Sequence, residues 1–203
     1  MKQYFLIIFA FVLLFSVQPA LAEEAASAHG MPDEAAMQKV MELGMPGEAH
    51  KVLDRLTGEW TYTMTHKMSA DAPKIASEGI SKNEWILGGR FIQQNVSSTF
   101  DMNGQTINYE GVGTAGHDNV KGHFITTWMD NMGTGMMAAS AEYDEATATL
   151  KEKGTYSCSM RGGEVTFTAE LKFVDDDHFT YAMYETDENG KTFQMMDMKY
   201  TRQ

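Results

Sequence analysis

Val165-Thr166-Phe167-Thr168-Ala169-Glu170-Leu171-Lys172-Phe173 alternates apolar and polar side chains without a break. A period of two is the mark of a strand with one face in a core and the other in water. The same pattern extends in both directions along the chain. From Gly58 onward the sequence predicts ten strands, at 58–68, 75–87, 90–100, 105–115, 121–130, 135–145, 148–159, 164–175, 177–186 and 191–202. Turn chemistry separates them: Gly88-Gly89, Asn103-Gly104, Asp118-Asn119, Arg161-Gly162-Gly163, Asp175-Asp176-Asp177 and Asn189-Gly190. No helix of useful length interrupts the run, so a parallel crossover sheet is excluded and an antiparallel meander remains. An open sheet of this size would leave long edges, which closure removes. The expected fold is all-β: a single antiparallel up-and-down β-barrel of about ten strands, wide enough to enclose a cavity.

Upstream of the strands the pattern changes. Met1–Ala22 carries one early positive charge at Lys2, an apolar run from Tyr4 to Val17, and the small-x-small pattern Ala20-Leu21-Ala22. This is the pattern of a secretory signal peptide cleaved after Ala22. Its apolar run of about 14 residues is short of the roughly 20 needed to cross a bilayer. A periplasmic or secreted location is expected, with no stable membrane anchor after cleavage. Residues 23–30 are small and polar and read as a flexible spacer. Residues 31–57 read as a cap of two short helices. The first carries Met37, Val40 and Met41 as a stripe and stops at Gly44. The second carries Ala49, Val52, Leu53 and Leu56 and is capped by Gly58.

Composition narrows the function classes. There are 28 acidic against 16 basic residues, for a net charge of -12, which argues against a nucleic-acid partner. One cysteine, Cys158, permits neither an internal disulfide nor a cysteine-based zinc cluster, and it reads as a small buried hydrophobe. The six histidines show no i, i+4 pair and no His-x-His, so no dedicated metal site is expected. Neither a Gly-x-Ser-x-Gly nucleophile motif nor a phosphate-binding glycine loop is present, and the sequence calls for no cofactor. The catalytic residues of any enzyme here are unknown from sequence.

Gly58-Glu59-Trp60, after a short helix and opening the first strand, resembles the Gly-x-Trp signature of lipocalin-like barrels. In those barrels the tryptophan packs across the closed end. A wider resemblance runs over about residues 44–202. Pro46-Gly47-Glu48-Ala49-His50-Lys51, Leu56-Thr57-Gly58-Glu59-Trp60 and Ile86-Leu87-Gly88-Gly89-Arg90-Phe91 are similar to a bacterial domain-of-unknown-function family, number 1579. So are Gly111–Asn119, Trp128–Gly135 and Asp175–His178, although that family more often has tyrosine where this chain has His117. The resemblance implies one lipocalin- or nitrobindin-like barrel and implies no activity. No haem-ligating histidine motif of the nitrobindin type is present, so haem does not follow.

Several residues are candidates for a ligand site. Phe124, Thr126, Trp128 and Asp130 share one strand face by alternation. If that face is interior, an indole and a carboxylate sit at the cavity mouth and orient a ligand. In the competing reading Trp128 is core and Asp130 caps a turn. Arg90 binds a carboxylate head group if it points inward, with Glu84 or Asp130 as its buried partner, or else it forms a surface ion pair. Tyr109 and Tyr143 are either hydroxyl donors in the pocket or core residues.

The 17 methionines include the clusters Met129, Met132, Met136, Met137 and Met195, Met196, Met198. Thioethers are soft ligands for Cu(I). Strict alternation turns Met195 away from Met196 and Met198, so the second cluster is expected to serve as adaptable packing around an apolar cavity. The expected function is therefore a barrel binding a small lipophilic or amphipathic molecule in its interior. Two alternatives stand beside it: an isomerase or hydrolase using Asp130 with Arg90, and a periplasmic copper-binding protein.

Overall fold

The computed structural model describes residues 33–102 and 104–203. The expected signal peptide and spacer, and the Met31-Pro32 start of the cap, lie outside the described residues. The chain divides into two compact units, Met1–Val40 and Met41–Gln203. Asp33 caps helix α1 (Glu34–Leu43), its Oδ1 accepting the Ala36 N–H at 2.7 Å.

The second unit is a closed barrel of ten antiparallel strands, each hydrogen-bonded to the next, with the tenth returning to the first. They are β1 (Gly58–His66), β2 (Ile75–Ile86), β3 (Phe91–Met102), β4 (Gln105–Asp118), β5 (His123–Asp130), β6 (Met137–Asp144), β7 (Thr149–Cys158), β8 (Gly163–Phe173), β9 (His178–Thr186) and β10 (Thr192–Arg202). The alternation that predicts β8 is the observed one: Val165, Phe167, Ala169 and Phe173 are buried while Thr166, Thr168, Glu170 and Lys172 are exposed. β4 runs to Asp118, beyond its predicted end at 115. The turn waits for the Asp118 side chain, whose Oδ1 accepts the Val120 and Lys121 N–H groups.

The second cap helix is shorter than a full α-helix. One α-turn, α2 (Glu48–Lys51), tightens into a 3-10 turn over Val52–Leu56. Three residues per turn stack Leu53 directly beneath Leu56, and both are buried against the barrel. Gly58 then opens β1 with φ +112° and does not cap the helix. A Cβ there would lie 2.6 Å from the Arg202 guanidinium, so glycine is required on both counts. That guanidinium stacks 4.1 Å above the Trp60 ring. It donates to the carbonyls of Thr57, Arg55 and Asp176 at 2.6, 3.3 and 3.0 Å.

The two ends of the barrel differ. The connections β2–β3, β4–β5, β6–β7 and β8–β9 and the 3-10 turn share one end, which is closed. Trp60 (1 % exposed) lies across it, edge-on to Phe179 with centroids 4.7 Å apart, and Phe179 stacks on Tyr200 at 4.1 Å. Leu53, Leu56, Ile92, Phe124, Leu150 and Phe173 complete this apolar plug. Trp60 Nε1 and Asn83 Nδ2 both donate to the Leu56 carbonyl, at 3.0 and 2.8 Å, tying the 3-10 turn to the barrel wall. Cys158 ends β7, buried, at the other end.

Candidate functional site

The other end, the mouth, is framed by the ends of β1, β3, β5, β7 and β9. Several side chains that point into the barrel here stay half-exposed: Met64, Phe100, Tyr109, Trp128, Met137 and Met196. The β8–β9 flank is filled by a second cluster of Phe167, Ala169 and Met183.

Three candidate residues meet at the mouth. Trp128 Nε1 donates to the Tyr109 hydroxyl and to Asp130 Oδ2, both at 3.2 Å. The Tyr109 hydroxyl donates to the same Asp130 oxygen at 3.2 Å. Asp130 Oδ1 accepts the Met132 N–H at 3.0 Å, so the carboxylate holds the turn and the network together. The strand pairing sets this up, since Trp128 faces Gly113 and Asp130 faces Gly111 across the β4–β5 ladder. A Cβ on Gly113 would come within 2.9 Å of the indole, and one on Gly111 closer still. The two glycines thus make room for the indole against the wall. Burial, reinforced by the Asp130 charge, pushes the Tyr109 phenol well above its ordinary pKa, so it stays a proton donor.

The other two candidates lie elsewhere. Arg90 sits at the closed end, before β3. Its Nε donates to the Gly44 carbonyl at 2.9 Å, Nη1 to the Leu87 carbonyl at 3.1 Å, and Nη2 to Met45 Sδ at 3.4 Å. It fastens the segment after α1 to the β2–β3 turn. Arg90 and Asp130 are therefore at opposite ends of the barrel and form no single acid–base pair. Tyr143 points inward near the closed end, edge-on to Phe173 with centroids 6.4 Å apart. The Gly-His-Asp-Asn stretch at 116–119 also serves the closed end. Asn119 Nδ2 donates to the Leu43 and Met45 carbonyls at 3.0 and 2.8 Å, and the His117 ring packs against His50 and Phe124.

Sequence reasoning missed two buried acids. Glu152 lies on the inward phase of β7, between Leu150 and Gly154, facing Ala141 and Ala169 across the neighbouring ladders. The Tyr181 hydroxyl donates to its Oε2 at 3.4 Å, and burial pushes its carboxyl up to about 7. Glu185 lies on the inward phase of β9 at the mouth. It accepts from Tyr156 at 2.5 Å and from Arg161 Nη2 at 2.7 Å, which neutralises it. The available signal was an acid on the apolar phase of a strand, in both cases. Among the described residues two buried polar side-chain atoms have no partner, His66 Nδ1 at the end of β1 and Ser77 Oγ on β2. Among the described residues no three His, Cys, Asp or Glu side chains gather into a metal site. A groove of about 900 Å³ also crosses the outer face of β1–β4 and β10, lined by outward residues such as Thr61, Glu78, Thr99 and Lys199.

The family model for "Protein of unknown function (DUF1579)" matches residues 45–202. The chain belongs to this family. No curated protein matches it. Among solved structures, it is similar to Rv2717c from M. tuberculosis, at 12% identity and TM-score 0.59, covering 78% of this chain and 99% of that one. A redesigned β-barrel aligns at 15% identity and TM-score 0.39, over 75% of this chain and 95% of that one. The Rv2717c likeness is one of fold, and it extends the barrel architecture seen here to a distant chain.

Proposed function

We propose that this family member is an exported barrel that takes a small apolar or amphipathic molecule into its lumen through the open mouth. The observation that carries this reading is the half-exposure of inward-facing Met64, Phe100, Tyr109, Trp128, Met137 and Met196, set against a fully plugged opposite end. Thioethers and aromatic rings facing inward at this end suit an apolar tail. The Tyr109–Trp128–Asp130 network suits a polar group held at the rim. Export rests on the Met1–Ala22 pattern and is tested by fractionating cells that express the chain with and without it.

Native mass spectrometry of protein purified from its own compartment tests the binding. The expected result is a bound lipophile, or uptake of one from a panel of long-chain alcohols and fatty acids. Uptake should quench tryptophan fluorescence in the wild type and lose most of that quenching in Trp128→Phe. A ligand-free spectrum that no lipophile shifts would overturn the reading.

A further inference from the structure

The inner wall where β1 meets β10 carries an unusual set of side chains. The register pairs Met64 with Met198 and His66 with Met196, and all four face the lumen as successive inward positions of one ladder. Directly opposed residues on such a ladder have Cβ atoms about 5 Å apart, and successive inward positions lie roughly 7 Å apart along the strand. Four side chains on a rectangle of that size, three of them long and flexible, converge readily on one point above its centre. Met183 adjoins them on β9, paired with Met196.

The objection from strict alternation does not hold here. The β9–β10 register shifts between Gln194 and Met196, leaving Met195 unpaired in a bulge. Gln194 and Asp197 are hydrogen-bonded to each other at 3.1 Å, while Met195 and Met196 both pack on the interior cluster of Phe167, Ala169 and Met183. The bulge thus turns Met195, expected to face away, towards the interior beside Met196.

One atom of the set is left without a partner. His66 Nδ1 is buried and accepts or donates no hydrogen bond, a costly arrangement for a polar atom unless something occupies it. A neutral imidazole has one ring nitrogen with a lone pair to give to a metal. Met198 Sδ already accepts the Tyr200 hydroxyl at 3.6 Å, which orients the thioether. The four donors carry no negative charge. Glu185, the next inward residue after Met183 on β9, is already paired with Arg161. A neutral set of thioethers and one imidazole matches a soft monovalent cation and mismatches Ca²⁺, Mg²⁺ or Mn²⁺, which prefer oxygen ligands.

We propose that Met64, His66, Met196 and Met198 form a binding site for one Cu(I) ion on the inner wall of the barrel. This site goes beyond the lipophile reading and stands independently of it.

The test is anaerobic titration of the full chain with Cu(I) in competition with bicinchoninate. The expected result is one equivalent withdrawn from the chelator. Met196→Leu/Met198→Leu conserves volume and should weaken binding by at least about 100-fold, the scale on which even outer-shell partners of a metal act. Met129→Leu/Met132→Leu/Met136→Leu, at exposed positions, should change nothing. Should the wall variant fail to fold, wild-type protein labelled at the methionine methyl carbons and titrated with Ag(I) gives the same answer. The Met64, Met196 and Met198 signals should shift together at one equivalent. Failure to compete at micromolar chelator, equal affinity in the wall variant, or methyl shifts confined to Met129, Met132 and Met136 would each overturn the site. Lipophile uptake is measured without copper, so failure of one reading leaves the other standing.

Discussion

The closed end and the mouth are built from the same ten strands and the same inside-outside alternation, yet they do opposite work. At the closed end large apolar side chains fill most of the interior, and the buried polar groups bond to one another or fix the cap: Ser81 to Asn83, Trp60 and Asn83 to the Leu56 carbonyl, Arg202 to Thr57 and Arg55. At the mouth the inward positions mix methionine, aromatic rings and titratable groups, and glycines set the indole back against the wall. A barrel wall is thus neutral scaffolding. Which end becomes core and which becomes a site depends on inward residue type and on whether a cap covers the opening.

The largest effect that would break this comparison is at Trp60. Trp60→Ala removes a fully buried indole from the plug and should cost about 3–5 kcal/mol in urea unfolding. If it costs no more than the same change at Trp128, the closed end is not the core of the molecule.

Next in size is Glu152, the first inward residue beyond the plug on β7. Its folded pKa is raised to about 7 from 4.5, so the folded state holds its proton more tightly than the unfolded chain does. Stability should therefore fall as pH rises through the window between 4.5 and about 7, by roughly 3 kcal/mol at most. Glu152→Gln should lose that slope and be the more stable protein above the window. A flat profile for the wild type would mean that water reaches this level of the lumen.

A smaller effect is expected at the mouth. Trp128→Ala should cost about 1–2 kcal/mol, because the indole is half-exposed and rests on backbone. Its larger consequence should be the loss of lipophile-dependent quenching. The smallest is at the surface: Lys51→Ala, which removes an exposed ion pair with Glu48, should leave Tm unchanged in a calorimetric scan.

Most of the barrel was legible because its signals are local. Alternation in Val165–Phe173 and turn residues such as Asn189-Gly190 depend only on near neighbours. So did the shared facing of Trp128 and Asp130. Three features depended on distant partners and were not legible. Arg90 curls back to Gly44 across 46 positions, which no strand pattern encodes. The bulge at Met195 arises from the fit of β10 to β9. The 3-10 tightening after α2 follows from burying Leu53 and Leu56 together. Glu152 and Glu185 sat in plain phase with buried neighbours, but charge outweighed position in reading them.

The pairing of β1 with β10 also constrains how the chain can fold. Thr61 bonds to Thr201, 140 positions away, and Arg202 bridges 145 positions to Thr57. Nine hairpin contacts are close in sequence and form early, but the seam is the longest-range contact of all and carries the full loop-closure entropy. Until β10 has emerged, the barrel remains a curled sheet with two unpaired edges and an uncovered indole at Trp60. Its slowest step and its most aggregation-prone intermediate should therefore be the same event, the zipping of that seam.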